Sequence, residues 1–400
     1  MSPSPLSPPG HSAWQVFLVF LRLGLTSFGG PVAHLGYFRT EFVTRRRWLD
    51  EHAYAELVAL CQFLPGPASS QVGMALGLGR AGWSGAFAAW AGFTLPSAIA
   101  LILFGMAIGT QPTLAAAGWV HGLKLAAVAI VAHAVLGMWR SLCPDTPRAA
   151  LALLAAGFVL VVPHASAQFA VIALAGLTGW RWLDPPASAT GTPLVARVAH
   201  RAGLTAFVLL IALLAALPLA AWLTGSTSIA MIDGVFRAGT LVFGGGHVVL
   251  PLLQGSLIPL GVLDDNAFLA GYGAAQAVPG PLFTLAAYLG AVAQGPLHGW
   301  VGGLVLLVTI FVPAFLLVVS ALAFWQTLRE RPGIRRAVAG INAGVVGILC
   351  AALYDPVFTS AVISRADAAV ALSAFGLLTL SRTPPIAVVA LCAVAGALLA

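Results

Sequence analysis

Arginine inside an apolar segment, shortly before a glycine break, occurs twice in this chain. Arg22 precedes Phe28-Gly29-Gly30, and Arg237 precedes Phe243-Gly244-Gly245. An arginine at the centre of a bilayer costs about 2.5–3.5 kcal/mol on insertion scales, and it persists where it pairs, lines a pathway or reaches the interface. A second pair of motifs follows the first: "QFLPGP" at 62–67 and "QAVPGP" at 276–281. Pro65-Gly66-Pro67 and Pro279-Gly280-Pro281 stop one helix and start the next, because proline suits the first helical turn and not the interior. A helix that begins there turns free N–H groups and a positive dipole end toward the break. Such ends bind anions. The Gln62 and Gln276 amides precede the breaks, and the Ser70 and Thr284 hydroxyls follow them three residues on. Together these groups predict recognition of an oxyanion. Each feature has a plainer reading, in which the arginine snorkels and the turn merely packs. Two copies of both, in the same order, favour the site.

Other polar residues in apolar stretches carry less. Lys124, the only lysine, either lines the pathway or snorkels. Glu56 has no counterpart in the other half and is a candidate for a proton-linked group. His34 and His247 follow the glycine breaks at non-equivalent positions; histidine titrates in the range that suits proton coupling, though most such residues are structural donors. Asp50 and Asp264 stand just before the hairpin segments and read as helix caps. No nucleotide loop, dinucleotide fingerprint, HExxH, CxxC or nucleophile elbow is present. No cofactor or metal is expected, and the chain is not expected to be an enzyme.

The elements that hold these residues follow from composition. Of 400 residues 60% are hydrophobic and 8% charged, and mean hydropathy is +0.97. Soluble domains carry about 25% charged residues, so this chain cannot cover a water-facing surface. Apolar runs of the length that crosses a bilayer recur throughout, and the pattern is helical, with no sign of the short alternating strands of a barrel. The net charge of +7 would suggest nucleic acid in a soluble protein; here the arginines sit between apolar segments and report topology. The start "MSPSPLSPPGH" has no basic stretch and predicts no cleaved signal peptide. Cys61, Cys143, Cys350 and Cys392 read as small buried hydrophobes.

The chain repeats itself. With Arg22 on Arg237, "RLGLTSFGG" lies over "RAGTLVFGG"; one residue less brings the two PGP motifs into register and Ser70 onto Thr284. Small gaps put Pro96 on Pro313 and Gly122 on Gly340. The expected organisation is a first repeat at 1–183, a linker with an extra transmembrane helix at 184–227, and a second repeat at 228–400. Equivalent loops carry opposite charge bias. "TRRRW" (44–48) faces the uncharged "SLIPLG" (256–261), and "TQPTLAAAGWVHG" (110–122) faces "RERPGIRR" (329–336). By the positive-inside rule the repeats lie inverted, with the N-terminus in the cytoplasm; Arg365 alone argues against this. The arms around each PGP, about 52–64 and 67–79 and their twins 265–278 and 281–293, are too short to span. They predict re-entrant helical hairpins. The fold class is therefore an all-α polytopic membrane protein of two inverted repeats.

At "FGGP" with "QFLPGP" and at "FGGG" with "QAVPGP" the chain resembles the CHR (chromate ion transporter) family in its long two-domain form. The likeness covers about 14–183 and 228–400; Gly246 stands where the first half has Pro31, so the second FGGP is incomplete. The resemblance implies a bacterial inner-membrane exporter of chromate, driven by the proton motive force. The expected partners are chromate or a sulfate-like oxyanion and the bilayer, with a homodimer left open and nucleic acid excluded. Uptake or exchange of sulfate is one alternative, a passive anion channel a second, and a membrane-embedded enzyme or sensor a third.

Overall fold

The computed structural model describes residues 12–28, 30–110, 117–162, 165–184, 198–243, 246–329, 331–381 and 383–399. All regular structure among them is helical. The first half contains α1 (Ala13–Thr26), α2 (Gly30–Arg39), α3 (Glu51–Phe63), α4 (Ala68–Thr110), α5 (Gly118–Leu142), α6 (Thr146–Val161) and α7 (Ala165–Trp182). The connecting helix is α8 (His200–Thr224). The second half contains α9 (Thr227–Leu241), α10 (Val249–Leu257), α11 (Asp265–Ala277), α12 (Leu285–Val292), α13 (Gly299–Arg329), α14 (Pro332–Ala352), α15 (Arg365–Thr379) and α16 (Pro385–Leu399).

Local chemistry sets many of these limits. Ser12 and Gln15 form a capping box on α1, and Ser364 and Asp367 form one on α15. The Asp50 carboxylate accepts from Ala53 N at 2.8 Å and that of Asp264 from Ala267 N at 2.7 Å, so both aspartates cap their hairpin helices as expected. α4 is two helices. Its dihedrals leave the helical region at Ala81 and Gly82, where Gly82 takes φ +63°. The first arm, 68–80, pairs with α3 across Pro65-Gly66-Pro67. In the second half α11 is followed by Pro279-Gly280-Pro281, a 3-10 turn Leu282–Thr284 and then α12.

Among the described residues, five helical stretches are long and apolar enough to cross a membrane: Ala68–Thr110, which contains the break at Ala81 and Gly82, Gly118–Leu142, His200–Thr224, Gly299–Phe324 and Pro332–Ala361. Between them lie shorter helices in pairs. At 1.5 Å per residue, α3 and α11 reach only about 20 Å.

Close backbone contacts fix how these helices cross. A Cβ at Gly24 on α1 would lie 2.8 Å from the Phe93 carbonyl on α4, and one at Gly239 on α9 would lie 2.5 Å from the Ile310 carbonyl on α13. Both pairs are equivalent under the register that aligns Arg22 with Arg237 and Pro96 with Pro313. The halves are also interleaved. Gly122 on α5 meets the Cys392 carbonyl on α16, and Gly340 on α14 meets the Ala175 carbonyl on α7, each 2.1 Å from where a Cβ would sit. The last long helix of each half thus packs on the closing hairpin of the other. Small residues at such crossings let backbones approach, which is how helices hold together without a hydrophobic drive from water.

Candidate functional site

Two backbone hydrogen bonds tie the motif breaks together across the halves. Gly66 N–H donates to the Val242 carbonyl at 2.7 Å, and Gly280 N–H donates to the Ser27 carbonyl at 2.9 Å. Each PGP glycine therefore sits on the end of the first helix of the opposite half. Gly66 and Gly280 take φ +118° and +100°, where a side chain is strained. The turns close on themselves as well: Gln71 Nε2 donates to the Pro65 carbonyl at 2.7 Å, and Thr284 Oγ1 donates to that of Pro281 at 2.8 Å. The glycine N–H groups and the Thr284 hydroxyl are already engaged. Ser70, 2% exposed, has an Oγ without a partner.

Beside the second break lies a cavity of about 510 Å³. Its polar lining consists of His133 and Arg140 from α5, His247 from the 3-10 turn Gly246–Val248, Gln276 from α11, and Thr379 and Thr383 at and after the end of α15. Gly30, where α2 begins at φ +78°, is part of the wall. A small recess shares Gly30, His247, Gln276 and Pro385 and continues inward to Gly280. His133 and Arg140 are exposed and stand seven residues apart, on one face of α5. They mark the mouth.

Among the described residues the lining holds cationic and donor groups and no carboxylate. Arg140 has no ion-pair partner among the described residues. His247 Nδ1 lies 2.7 Å from the Tyr272 hydroxyl; when that hydroxyl donates, the proton sits on Nε2 and is free for a ligand. Gln276 Nε2 is buried without a partner. An unmet amide donor is costly, and an anion would satisfy it. The Thr379 hydroxyl donates to the Phe375 carbonyl at 2.6 Å, so it contributes polarity more than a free donor. The first turn of α2 adds the backbone N–H of Gly30, since Pro31 beside it has none. Such a set suits a small oxyanion.

The sequence-predicted residues distribute unevenly about this cavity. Gly30, Gln276, Gly280 and His247 line it or its recess. Gln62, the counterpart of Gln276, is exposed, and so is Arg22. Arg237 is ion-paired with Asp233, four residues before it, and its guanidinium lies 5.5 Å over the Phe169 ring. The two arginines are not brought together. Phe28 and Phe243 are half-buried beside the breaks, and Pro65, Pro67, Pro279 and Pro281 shape the turns. Lys124 Nζ donates to Asn266 Oδ1 at 3.0 Å. Glu56 is buried on α3. His34 is buried with Nδ1 3.3 Å from Ser69 Oγ. Gly29, Gly244 and Gly245 lie outside the described residues.

Sequence reasoning singled out none of His133, Arg140, Thr379, Thr383 and Asp233 as site residues. The repeat itself hid them. On the register that puts Gly122 on Gly340, His133 falls on Ala351 and Arg140 on Phe358; Asp233 falls on Leu18. Matching the halves selects what they share, here Gly30, Gln276 and Gly280, and passes over the part of the lining that they do not.

A family model described as chromate transporter matches residues 14–180 and 229–397. The chain belongs to the chromate transporter family. A chromate transport protein of Pseudomonas aeruginosa is 29% identical over 364 residues, covering 87% of this chain and 82% of its own. A chromate transport protein of Cupriavidus metallidurans is 26% identical over 354 residues, covering 86% and 82%. A probable chromate transport protein of Synechococcus elongatus is 26% identical over 360 residues, covering 86% and 84%. No solved structure matches the chain. The match spans both halves, so this transporter has the long form of the family.

Proposed function

We propose that this transporter is a secondary active exporter of chromate, moving the dianion out of the cytoplasm at the expense of the proton motive force. The observation that carries the reading is the acid-free cavity in which Arg140, His133, His247 and Gln276 face one volume. Family membership supports chromate as the anion. Arg140 and His133 attract it at the mouth. The Gln276 amide, the His247 ring and the start of α2 hold it at the inner end. The PGP glycines act as ties between the halves, and Arg237 with Asp233 as a structural pair; Arg22 contributes charge at the surface.

Family membership supports a bacterial inner-membrane location, and the loop charges favour an N-terminus inside. In that frame the two halves form inverted repeats, the α5 mouth faces the cytoplasm, and rocking of one half against the other moves the site across the membrane. The test is chromate uptake into everted vesicles. Arg140→Ala is expected to remove most of it, and unlabelled sulfate to compete in proportion to its resemblance in charge and shape. Uptake that is indifferent to Arg140→Ala, His133→Ala and Gln276→Ala together would remove the cavity from the pathway.

A further inference from the structure

Three helices meet around the cavity, and all three run the same way through it. α5, α11 and α15 each give residues near their C-terminal ends to the lining: His133 and Arg140, Gln276, and Leu378 with Thr379. Their N-terminal ends also meet, and there they are shut. His121 Nε2 on α5 lies 2.8 Å from Asp367 Oδ1 on α15. Lys124 Nζ on α5 donates to Asn266 Oδ1 on α11 at 3.0 Å. Six to nineteen residues separate these latch residues of α5 from its cavity residues Ile130, His133 and Arg140, about 9 to 28 Å at the helical rise.

The shut end is tight in both its polar and its apolar parts. The Asp367 carboxylate is nearly fully buried and accepts from Ile363 N at 3.1 Å and Ser364 N at 2.9 Å as well as facing His121. Asp264 joins Asp367 within electrostatic reach of Lys124. Around them the backbones touch. A Cβ at Gly122 would sit 2.1 Å from the Cys392 carbonyl, and one at Gly273 would sit 2.3 Å from that of Leu123. The same helices are therefore parted at one end and joined at the other, by contacts that all cross from one half of the chain to the other.

We propose that His121–Asp367 and Lys124–Asn266 are the gate that closes the pathway on the side opposite Arg140. Parting α5 from α11 and α15 at this end exposes the cavity to the other face of the membrane. The polar pairs hold the gate shut, and water can satisfy each member when it opens, so the separation leaves no buried group unmet. His121, Lys124, Asn266 and Asp367 are thus positioning residues for transport and do not themselves bind the anion.

The proposal rests on transport through this cavity, and its test reads access instead of chromate flux, so the two can fail separately. Thr379→Cys, with Cys143, Cys350 and Cys392 replaced by alanine, serves as a cavity reporter, labelled by a membrane-impermeant maleimide in right-side-out and in everted vesicles. The parent should label from the Arg140 side and hardly at all from the other. Asp367→Asn and His121→Ala should each raise labelling from the other side several-fold. Cys61, fully buried, stays in place as a check, because its labelling marks a variant that has unfolded instead of opened. A second arm needs no destabilised variant. His121→Cys with Asp367→Cys, bridged by oxidation, should abolish labelling from the far side and stop transport, and a reductant should restore both. Equal labelling from both sides in the parent would overturn the proposal. So would far-side labelling that neither substitution changes, or a bridged protein that transports at the unbridged rate. A working gate in a protein that moves no chromate would instead count against the substrate.

Discussion

Gly66 donates its N–H to the carbonyl of Val242, from the first half of the chain to the second, at 2.7 Å. Gly280 returns the bond to Ser27 at 2.9 Å. The two breaks that interrupt each half are thereby the points at which the halves hold each other. A helix break inside a membrane leaves N–H and C=O groups that lipid cannot satisfy. Here each half supplies the partner that the other lacks.

Substitution at these glycines should be destabilising for a backbone reason. Gly280→Ala forces a side chain into φ +100° and places its Cβ 2.9 Å from Ser97 Oγ. A loss on the order of 1–3 kcal/mol is expected, read as a lower thermal midpoint in detergent. Pro279→Ala next to it keeps the Gly280 hydrogen bond and should cost less. Equal midpoints for Gly280→Ala and the parent would show that neither the φ of +100° nor the contact with Ser97 demands glycine here.

Arg140→Ala should weaken chromate binding about 10- to 100-fold, the loss of a charged hydrogen bond. Arg140→Lys should recover part of it. Arg22→Ala should have a much smaller effect, because Arg22 is exposed on α1, outside the cavity lining. Binding measured by quenching of intrinsic tryptophan fluorescence, or by equilibrium dialysis of labelled chromate, separates the two; a larger loss at Arg22 would move the site.

Asp233 and Arg237 form a pair of which the carboxylate is 3% exposed. Removing one partner strands the other. Arg237→Leu is therefore expected to destabilise by about 3 kcal/mol or less, since the guanidinium side is a third exposed and its share is screened. The double change Asp233→Leu with Arg237→Leu should recover most of the loss. A double variant no better than the singles would mean that the pair does more than satisfy itself.

The basic loop predicts a pH effect of defined sign. Glu41 is buried, which pushes its carboxyl up, but Arg46 at 2.6 Å and Arg45 at 3.3 Å outweigh this and hold it below its ordinary value of 4.5. A carboxylate depressed in the folded state adds stability above its unfolded value, and that stability is lost as pH falls through the folded one. The thermal midpoint of the parent should fall on acidification below about pH 4.5. Glu41→Gln should start lower at neutral pH and fall less. Parallel curves for the two proteins would remove this pair as a source of acid sensitivity.

Much of the fold was legible because it is written in periodic and breaking residues. The arms around the first PGP, read as about 52–64 and 67–79, are helical over 51–63 and 68–80, and a helix at 200–224 lies within the stretch 184–227. Asp50 and Asp264 were readable as caps, because a cap acts within one turn of sequence. The cavity was far less legible. Its walls come from α2, α5, α11, α15 and the turn at His247, brought together only by the exchange of hairpins between halves. Nothing local to His133 marks it as facing Gln276. Gln276, singled out in the sequence, lines the cavity, while its twin Gln62 is exposed.

The most direct measurement is chromate accumulation in energised everted vesicles containing the purified transporter, with and without a protonophore. The account predicts accumulation above the outside concentration, its collapse on adding the protonophore, and its absence with Arg140→Ala. Accumulation that survives the protonophore, or mere equilibration of chromate across the membrane with energy present, would contradict it.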